Sequence, residues 1–376
     1  MTATLYAGTL ARLQAVMERH GLAVVLLTQN HHTRYVTGYQ RYFSASSLPF
    51  VHAVAVGRRG GACLLLPEHI RHFGERACHA AAVGPFPGAF EARVDALATV
   101  VRAFGAERRR IGLDVDLLRA DYLEALRTAL PSASFRPAAD CLAEAMRIKL
   151  PEEVAWLRRS AQLVDLGTAA CFEAVRAGRT EQQVAAAGAA ALAAGAEAFH
   201  HCCVRTGENA IDLCPINTDR IIGRGDVVQL DLGFVCGGYV SDINRTLIVG
   251  GPMAKQAHII RTVVAMERAV VDALRPGVRG RDLYALARGL AAAAGLEQHF
   301  VMPYVGHGIG LSLQERPLFT YDSNETVEAG MVLAIEPGLY VPGLGACRTE
   351  DMVLVTETGV ERLTTYPDDL TLNGLP

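Results

Sequence analysis

The sequence predicts an α/β (α+β) protein of two domains: a smaller α/β domain over 1–145, and a larger one over 146–376 built from two similar halves. Three observations predict it. Through 1–145, short apolar runs of strand type alternate with helical patterns. At Pro151 this rhythm gives way to a long helix. Beyond that helix, a helix–helix–strand order occurs twice, which implies an internal pseudo-twofold with the site between the halves.

The elements follow in order. The opening stretch MTATLYAGTLARLQAVMERHGL reads as an amphipathic helix without the apolar core of a signal peptide. The runs LAVVLL, VHAVAV, GACLLL and RIGLDV have strand character, and helical patterns lie around 8–20, 91–104 and 117–129. Gly57 to Gly61 looks like a hairpin turn between the two central runs. Pro151 suits a first helical position, Glu152 and Glu153 favour the positive end of the helix dipole, and Gly178 is the expected stop. Thr180 with Gln183 forms a capping box for the next helix. Strands are expected across 199–248, helices near 254–275 and 280–294, and strands again from 299 to 356.

Composition narrows the function. A net charge of -3 without a basic block gives no reason to expect a nucleic-acid partner, and the cluster Arg108 to Arg110 reads as a solvated helix end. No stretch is long and apolar enough to span a bilayer, the Ala-rich run 184–196 being broken by glycines, so no membrane partner and a cytoplasmic location are expected. Nine cysteines without CxxC spacing read as reduced thiols. Lysine occurs only at Lys149 and Lys255, outside every motif, which leaves Schiff-base chemistry little to work with. Ser312 stands in GLSLQ, which is not a nucleophile elbow.

The chemistry concentrates in five residues: Asp231, Asp242, His307, Glu336 and Glu350. Asp231 and Asp242 lie on VVQLDLGFVCGGYVSDINRTLIV, where two strand-like runs flank a turn at Cys236-Gly237 or Gly237-Gly238. Either turn puts both carboxylates on one face, directly opposite or one diagonal apart. MVLAIEP delivers Glu336, a turn through Gly343 and Gly345 follows, and CRTEDMVLV brings back Glu350. His307 stands in GHGIG, whose small neighbours permit close approach. Four converging carboxylates would repel, so one would take up a proton unless cations intervene. Two divalent ions would neutralise them, and an oxygen-rich set with one nitrogen suits Mn, Co, Fe or Zn.

Taken together, Asp, Asp, His, Glu and Glu at steps of 11, 65, 29 and 14, with SDINRT, GHGIG, IEPG and RTED around them, resemble the pita-bread family of aminopeptidase P, prolidase, methionine aminopeptidase and creatinase. The resemblance covers almost the whole chain. RYVTGY is typical of the family's creatinase-type N-terminal domain, and RIKLPEEVAWLRRSAQL looks like the entry into its pita-bread catalytic domain. It implies Asp231 as a terminal ligand of one metal, His307 and Glu336 as ligands of the other, and Asp242 and Glu350 as bridges. A hydroxide between the metals would be the nucleophile, with Glu336 as catalytic proton acceptor. A homodimer is implied too, with His31 and His32 near the partner's pocket.

Departures from the family pattern shape the functional expectation. Histidines expected 17 residues before Asp231, seven after His307 and four before His307 are here Cys214, Gln314 and Pro303. Imidazole can donate a proton near neutral pH, whereas an amide can only hydrogen-bond. The sequence therefore points to a metal-dependent hydrolase of a C–N bond in a small amino-acid-derived molecule, not to an ordinary peptidase. Cys214, Tyr304, Gln314 and Arg348 are the expected substrate contacts. The alternatives are an Xaa-Pro dipeptidase or aminopeptidase acting on dipeptides, a lyase of the dimethylsulfoniopropionate lyase type, and a non-catalytic scaffold. Arg245 and Arg348 could orient carboxylates or grip a substrate carboxylate, or simply form ion pairs. Packing is the favoured role for His200, His201, Cys202 and Cys203, since adjacent strand residues point to opposite faces and at most one of each pair could face the site; the alternative for His201 is a substitute acid.

Overall fold

The computed structural model describes residues 2–39, 52–79, 82–211 and 216–368. The chain falls into two compact units, Met1–Met146 and Arg147–Pro376.

The first unit is a six-stranded mixed sheet with helices. Its strands are β1 (Val24–Leu27), β2 (Ala53–Gly57), β3 (Ala62–Leu66), β4 (Ala82–Pro85), β5 (Arg110–Leu113) and β6 (Ser134–Pro137), in the order β4-β3-β2-β1-β5-β6. β1–β2 and β2–β3 pair antiparallel, and the other neighbours pair parallel. The hairpin expected at Gly57 to Gly61 joins β2 to β3. The helices are α1 (Ala3–Arg19), α2 (Asn30–Thr37), α3 (Arg71–Ala77), α4 (Phe90–Ala103), α5 (Ala120–Ala129) and α6 (Ala139–Met146). β1 is buried at all four positions, as expected for a central strand covered on both faces. Val24 and Leu26 pack with Leu97, Val101 and Leu126 in one core cluster. Gly38 closes α2 in the left-handed region at φ 77, where a Cβ would lie 2.7 Å from the Tyr6 ring.

The second unit repeats its elements. α7 (Pro151–Ala174) and α8 (Glu181–Ala190) precede β7 (Ala198–Thr206), β8 (Val227–Cys236), β9 (Tyr239–Val240) and β10 (Ile243–Ile248). α9 (Ala254–Ala273) and α10 (Gly280–Ala293) precede β11 (Tyr304–Gly308), β12 (Glu315–Thr320), β13 (Val332–Ile335), β14 (Gly338–Val341), β15 (Gly345–Arg348), β16 (Asp351–Val355) and β17 (Val360–Arg362). One sheet runs β10-β8-β7, another β12-β11-β13-β16-β17, and β14 pairs with β15. An isolated antiparallel bridge pairs Asn244 of β10 with Glu350, which lies between β15 and β16.

Local chemistry explains the helix starts. Pro151 opens α7, with the Glu153 carboxylate accepting from Leu150 N at 2.8 Å. The Thr180–Gln183 capping box forms as expected. α7 ends at Val175, before Gly178, because Val175 is buried in the core and Gly178 N is drawn to Ile222 O at 2.9 Å. The alternation along β8 sets up the site. Val228, Leu230, Leu232 and Phe234 face a core shared with Leu163, Val164 and Cys171 of α7, which leaves Gln229, Asp231 and Gly233 for the opposite face.

Candidate metal centre

The β8–β9 turn is the two-residue loop Gly237–Gly238, both at positive φ (58 and 75), with Cys236 opposite Tyr239. Asn244 then lies opposite Asp231. Because β9 and β10 keep the same register against β8, Asp242 faces Gly233, so the two aspartates sit one diagonal apart. Glu350 enters through the bridge to Asn244, the residue opposite Asp231. Glu336 follows β13, its N–H donating to Val305 O at 2.9 Å, and His307 of β11 pairs with Ala334 of β13. Backbone pairing thus gathers the five side chains at one seam, all buried.

Asp231, Asp242, His307 and Glu336 line a cleft of about 490 Å³ whose walls include His201, Cys203, Arg205, Pro303, Tyr304 and Gln314. Two subsets have donor atoms close enough to share a cation: His201, Asp231 and Asp242, and Asp242, His307 and Glu350. The polar atoms test whether cations fit. Among the described residues, Asp242 Oδ1, His307 Nε2 and both carboxylate oxygens of Glu350 are buried without a hydrogen-bond partner. His307 Nε2 lies 3.0 Å from Glu336 Oε1, off the line of a hydrogen bond. Buried oxygens and an imidazole nitrogen left this way are expensive unless an ion satisfies them, and carboxylates with imidazole match the donors of a first-row divalent metal.

The electrostatics agree. Burial pushes the Glu350 carboxyl well above its usual range; Asp242 and Glu336 push the same way, and Arg348 opposes them. Without cations the charged form of that group is disfavoured by burial and by like charge, the repulsion described for four converging carboxylates. Burial would also raise Asp231, but Arg348, His201 and Arg205 hold it well below the usual carboxylate range. Burial works to lower the His307 imidazole; Glu336 and then Asp242 more than reverse it.

Arg348, Arg245, Gln314 and His32 find defined partners. Arg348 contacts Asp231 through Nη2 and Glu336 Oε2 through Nη1 at 3.0 Å, so it orients carboxylates. Arg245 is occupied elsewhere, donating to Asp351 Oδ1 at 2.7 Å and to Glu350 O at 2.7 Å. Gln314 Nε2 donates to Tyr304 Oη at 3.0 Å. Cys214 lies outside the described residues. His32 turns to Asp114 at 3.1 Å within the first unit.

His201 and Arg205 also contact Asp231. Packing was the favoured role for His201, yet its Nε2 lies 2.9 Å from Asp231 Oδ1. Arg205, not singled out at all, donates to Asp231 Oδ2 at 3.1 Å while nearly fully buried. The signal was the β-period: 201, 203 and 205 share one face of β7, which pairs with the Asp231 strand. A bulge between Phe199 and His201 breaks that alternation, which lets His200 reach the cleft as well.

Comparison with known proteins bears on the same segments. The family model of metallopeptidase family M24 matches residues 155–357, and that of the creatinase/prolidase N-terminal domain matches residues 10–149. An Xaa-Pro dipeptidase of Pyrococcus furiosus is 34% identical over 233 residues, spanning 61% of this chain and 66% of that enzyme. Dipeptidase PepE from Mycobacterium ulcerans superposes with a TM-score of 0.86 at 31% identity, over 98% of both chains. An Xaa-Pro dipeptidase from Bacillus anthracis gives 0.85 at 26%, over 96% of this chain and 98% of its own. The fold and family expected from the ordered motifs are those found. The chain belongs to metallopeptidase family M24, the metal-dependent hydrolases of C–N bonds, with a creatinase/prolidase N-terminal domain ahead of the pita-bread catalytic domain.

Proposed function

We propose that this protein is a dinuclear metal-dependent dipeptidase that cleaves the C–N bond of short peptides of the Xaa-Pro type, with Asp231, Asp242, His307, Glu336 and Glu350 holding two divalent ions. The observation that carries the reading is the buried set of carboxylate and imidazole atoms without a hydrogen-bond partner beside a cleft of about 490 Å³, a size suited to a small ligand. The names of the relatives support the dipeptide substrate. They favour the Xaa-Pro alternative over the expectation, drawn from the missing histidines, that the chain is no ordinary peptidase.

When bound, two such ions lower the pKa of water and polarise a carbonyl. The protein's own groups do the rest. Glu336, fixed by Arg348, is placed to accept the proton of an attacking water and return it to the leaving nitrogen. Tyr304 receives the Gln314 amide hydrogen, which frees its own O–H to donate to a carbonyl or carboxylate oxygen. Burial holds the phenol above its ordinary pKa, so it stays a donor at neutral pH. Arg205 and Arg348, added to two divalent ions, outweigh four carboxylates and favour a substrate that brings a carboxylate of its own.

The reading extends to 1–145 as the N-terminal domain and 146–376 as the catalytic domain, a cytoplasmic location, and a homodimer using manganese or another of Co, Fe and Zn. Cys63, Cys141, Cys171, Cys202, Cys236 and Cys347 are free thiols, which supports a reducing compartment; the dimer comes from the family resemblance, and light scattering tests it. A second reading, a specialised hydrolase of a small amino-acid-derived amide, is favoured by Pro303 and Gln314 standing where peptidases of the family place histidines. Elemental analysis together with Xaa-Pro dipeptide cleavage in added Mn and Co tests both. Two metals with cleavage support the dipeptidase. Two metals with no cleavage overturn it in favour of the second reading.

A further inference from the structure

His201 stands outside the five-residue set, and its surroundings single it out. It lies opposite Gly233 on β8. The ring crosses that glycine so closely that a Cβ there would meet Cε1 at 2.4 Å and Nδ1 at 2.6 Å. A missing side chain is therefore what lets the imidazole reach the carboxylates. Its Nε2 lies 2.9 Å from Asp231 Oδ1 and 3.3 Å from Asp242 Oδ1. One ring nitrogen offers one hydrogen or one lone pair, and here it faces two carboxylate oxygens at once, as a donor to a shared cation does. Donors about 2.0–2.2 Å from a shared cation, at tetrahedral to octahedral angles, stand roughly 2.9–3.5 Å apart. Both distances fall in that interval.

The remaining contacts point the same way. His307 hands its Nδ1–H to Gly308 O at 2.9 Å, leaving Nε2 to face the carboxylates. His201 Nδ1 meets His200 Nδ1 at 3.2 Å, again leaving Nε2 on the site side. Metal-binding histidines are fixed in this manner through their second nitrogen. Between the two rings lies Asp242, with Oδ1 3.3 Å from His201 Nε2 and Oδ2 3.9 Å from His307 Nε2. Each oxygen of one carboxylate thus faces one imidazole.

We propose that His201 is a sixth metal ligand, so that each ion has its own imidazole: His201 with Asp231 and Asp242 on one side, His307 with Asp242 and Glu350 on the other. The proposal rests on the dinuclear reading above. It gives the Asp231 side a neutral nitrogen donor where Arg205 and Arg348 already offset the carboxylate charge. A nitrogen donor biases that position towards cobalt or zinc and away from manganese.

Titration of metal-free, full-length protein with cobalt(II), followed by calorimetry and visible absorption, tests it. Wild-type protein is expected to bind two cobalt ions. His201→Ala should keep one at unchanged affinity and bind the other at least about tenfold more weakly, with an altered d–d spectrum. X-ray absorption on the wild-type dicobalt form reads the same question without a variant: one imidazole per cobalt is expected. Half an imidazole per cobalt, or a folded His201→Ala protein with both affinities and the spectrum unchanged, overturns the sixth ligand alone. Wild-type protein that takes up no cobalt overturns the dinuclear reading and this proposal with it.

Discussion

Gly233 lets the seam close. Its missing side chain leaves room for the His201 ring, with Ser241 O a further 2.7 Å neighbour of any added Cβ. Gly233→Ala should destabilise the second unit by about 1–3 kcal/mol through overpacking and weaken cobalt binding, which urea unfolding and calorimetry would measure. Asp242 and Glu350 present buried oxygens without a hydrogen-bond partner, and Asp242 belongs to both candidate ligand sets. Asp242→Ala or Glu350→Ala should each abolish metal pairing and lower activity by about 10²–10⁴-fold, as expected when several kcal/mol of cation stabilisation are lost. Two metals retained in both variants would refute the bridging assignment. At this scale the five charged and imidazole residues were legible, because their spacing and flanking motifs travel together in sequence. His201 and Arg205 were not, since which face of β7 meets the site depends on its pairing with β8.

Strands and caps show a similar division. The interior strands of the first unit were readable from their apolar runs. β4 and β6 were not, since both are sheet edges and expose much of their length, which weakens any pattern. Asp114, after β5, ties that strand to the start of α2. Its Oδ2 accepts from Thr28 N at 3.0 Å and Gln29 N at 2.9 Å and meets His32 Nδ1 at 3.1 Å. Burial would raise its pKa, but the His32 hydrogen bond and charge, then the two backbone N–H groups, hold it well below the usual carboxylate range. A depressed folded pKa stabilises the protein above the unfolded value of about 3.9, and that stability is lost as pH falls through the folded value. Asp114→Asn should therefore lose about 1–3 kcal/mol at pH 7. It should also flatten the fall in stability below about pH 4, which urea unfolding across pH would detect. An unchanged acid slope would sink this account.

At the scale of the whole molecule, the metal centre belongs entirely to Arg147–Pro376, and so does the only tryptophan, Trp156. Chelation should lower the unfolding temperature reported by Trp156 fluorescence, and added Mn or Co should restore it. Each site contributes about 2.7 kcal/mol when free ion exceeds its Kd a hundredfold. A fluorescence transition indifferent to chelator would contradict cation binding in this unit. The sequence by itself determined the two-domain α/β plan, the family, and the five clustered ligand candidates, because periodicity, caps and motif spacing are local properties of a chain. The tertiary structure alone decided that Arg245 serves Asp351 and not a substrate, that Arg205 and His201 reach Asp231, and that Gly233 must lack a side chain. Those outcomes depend on strand register and on the bridge between Asn244 and Glu350, and register joins residues too distant in sequence for any local pattern to record.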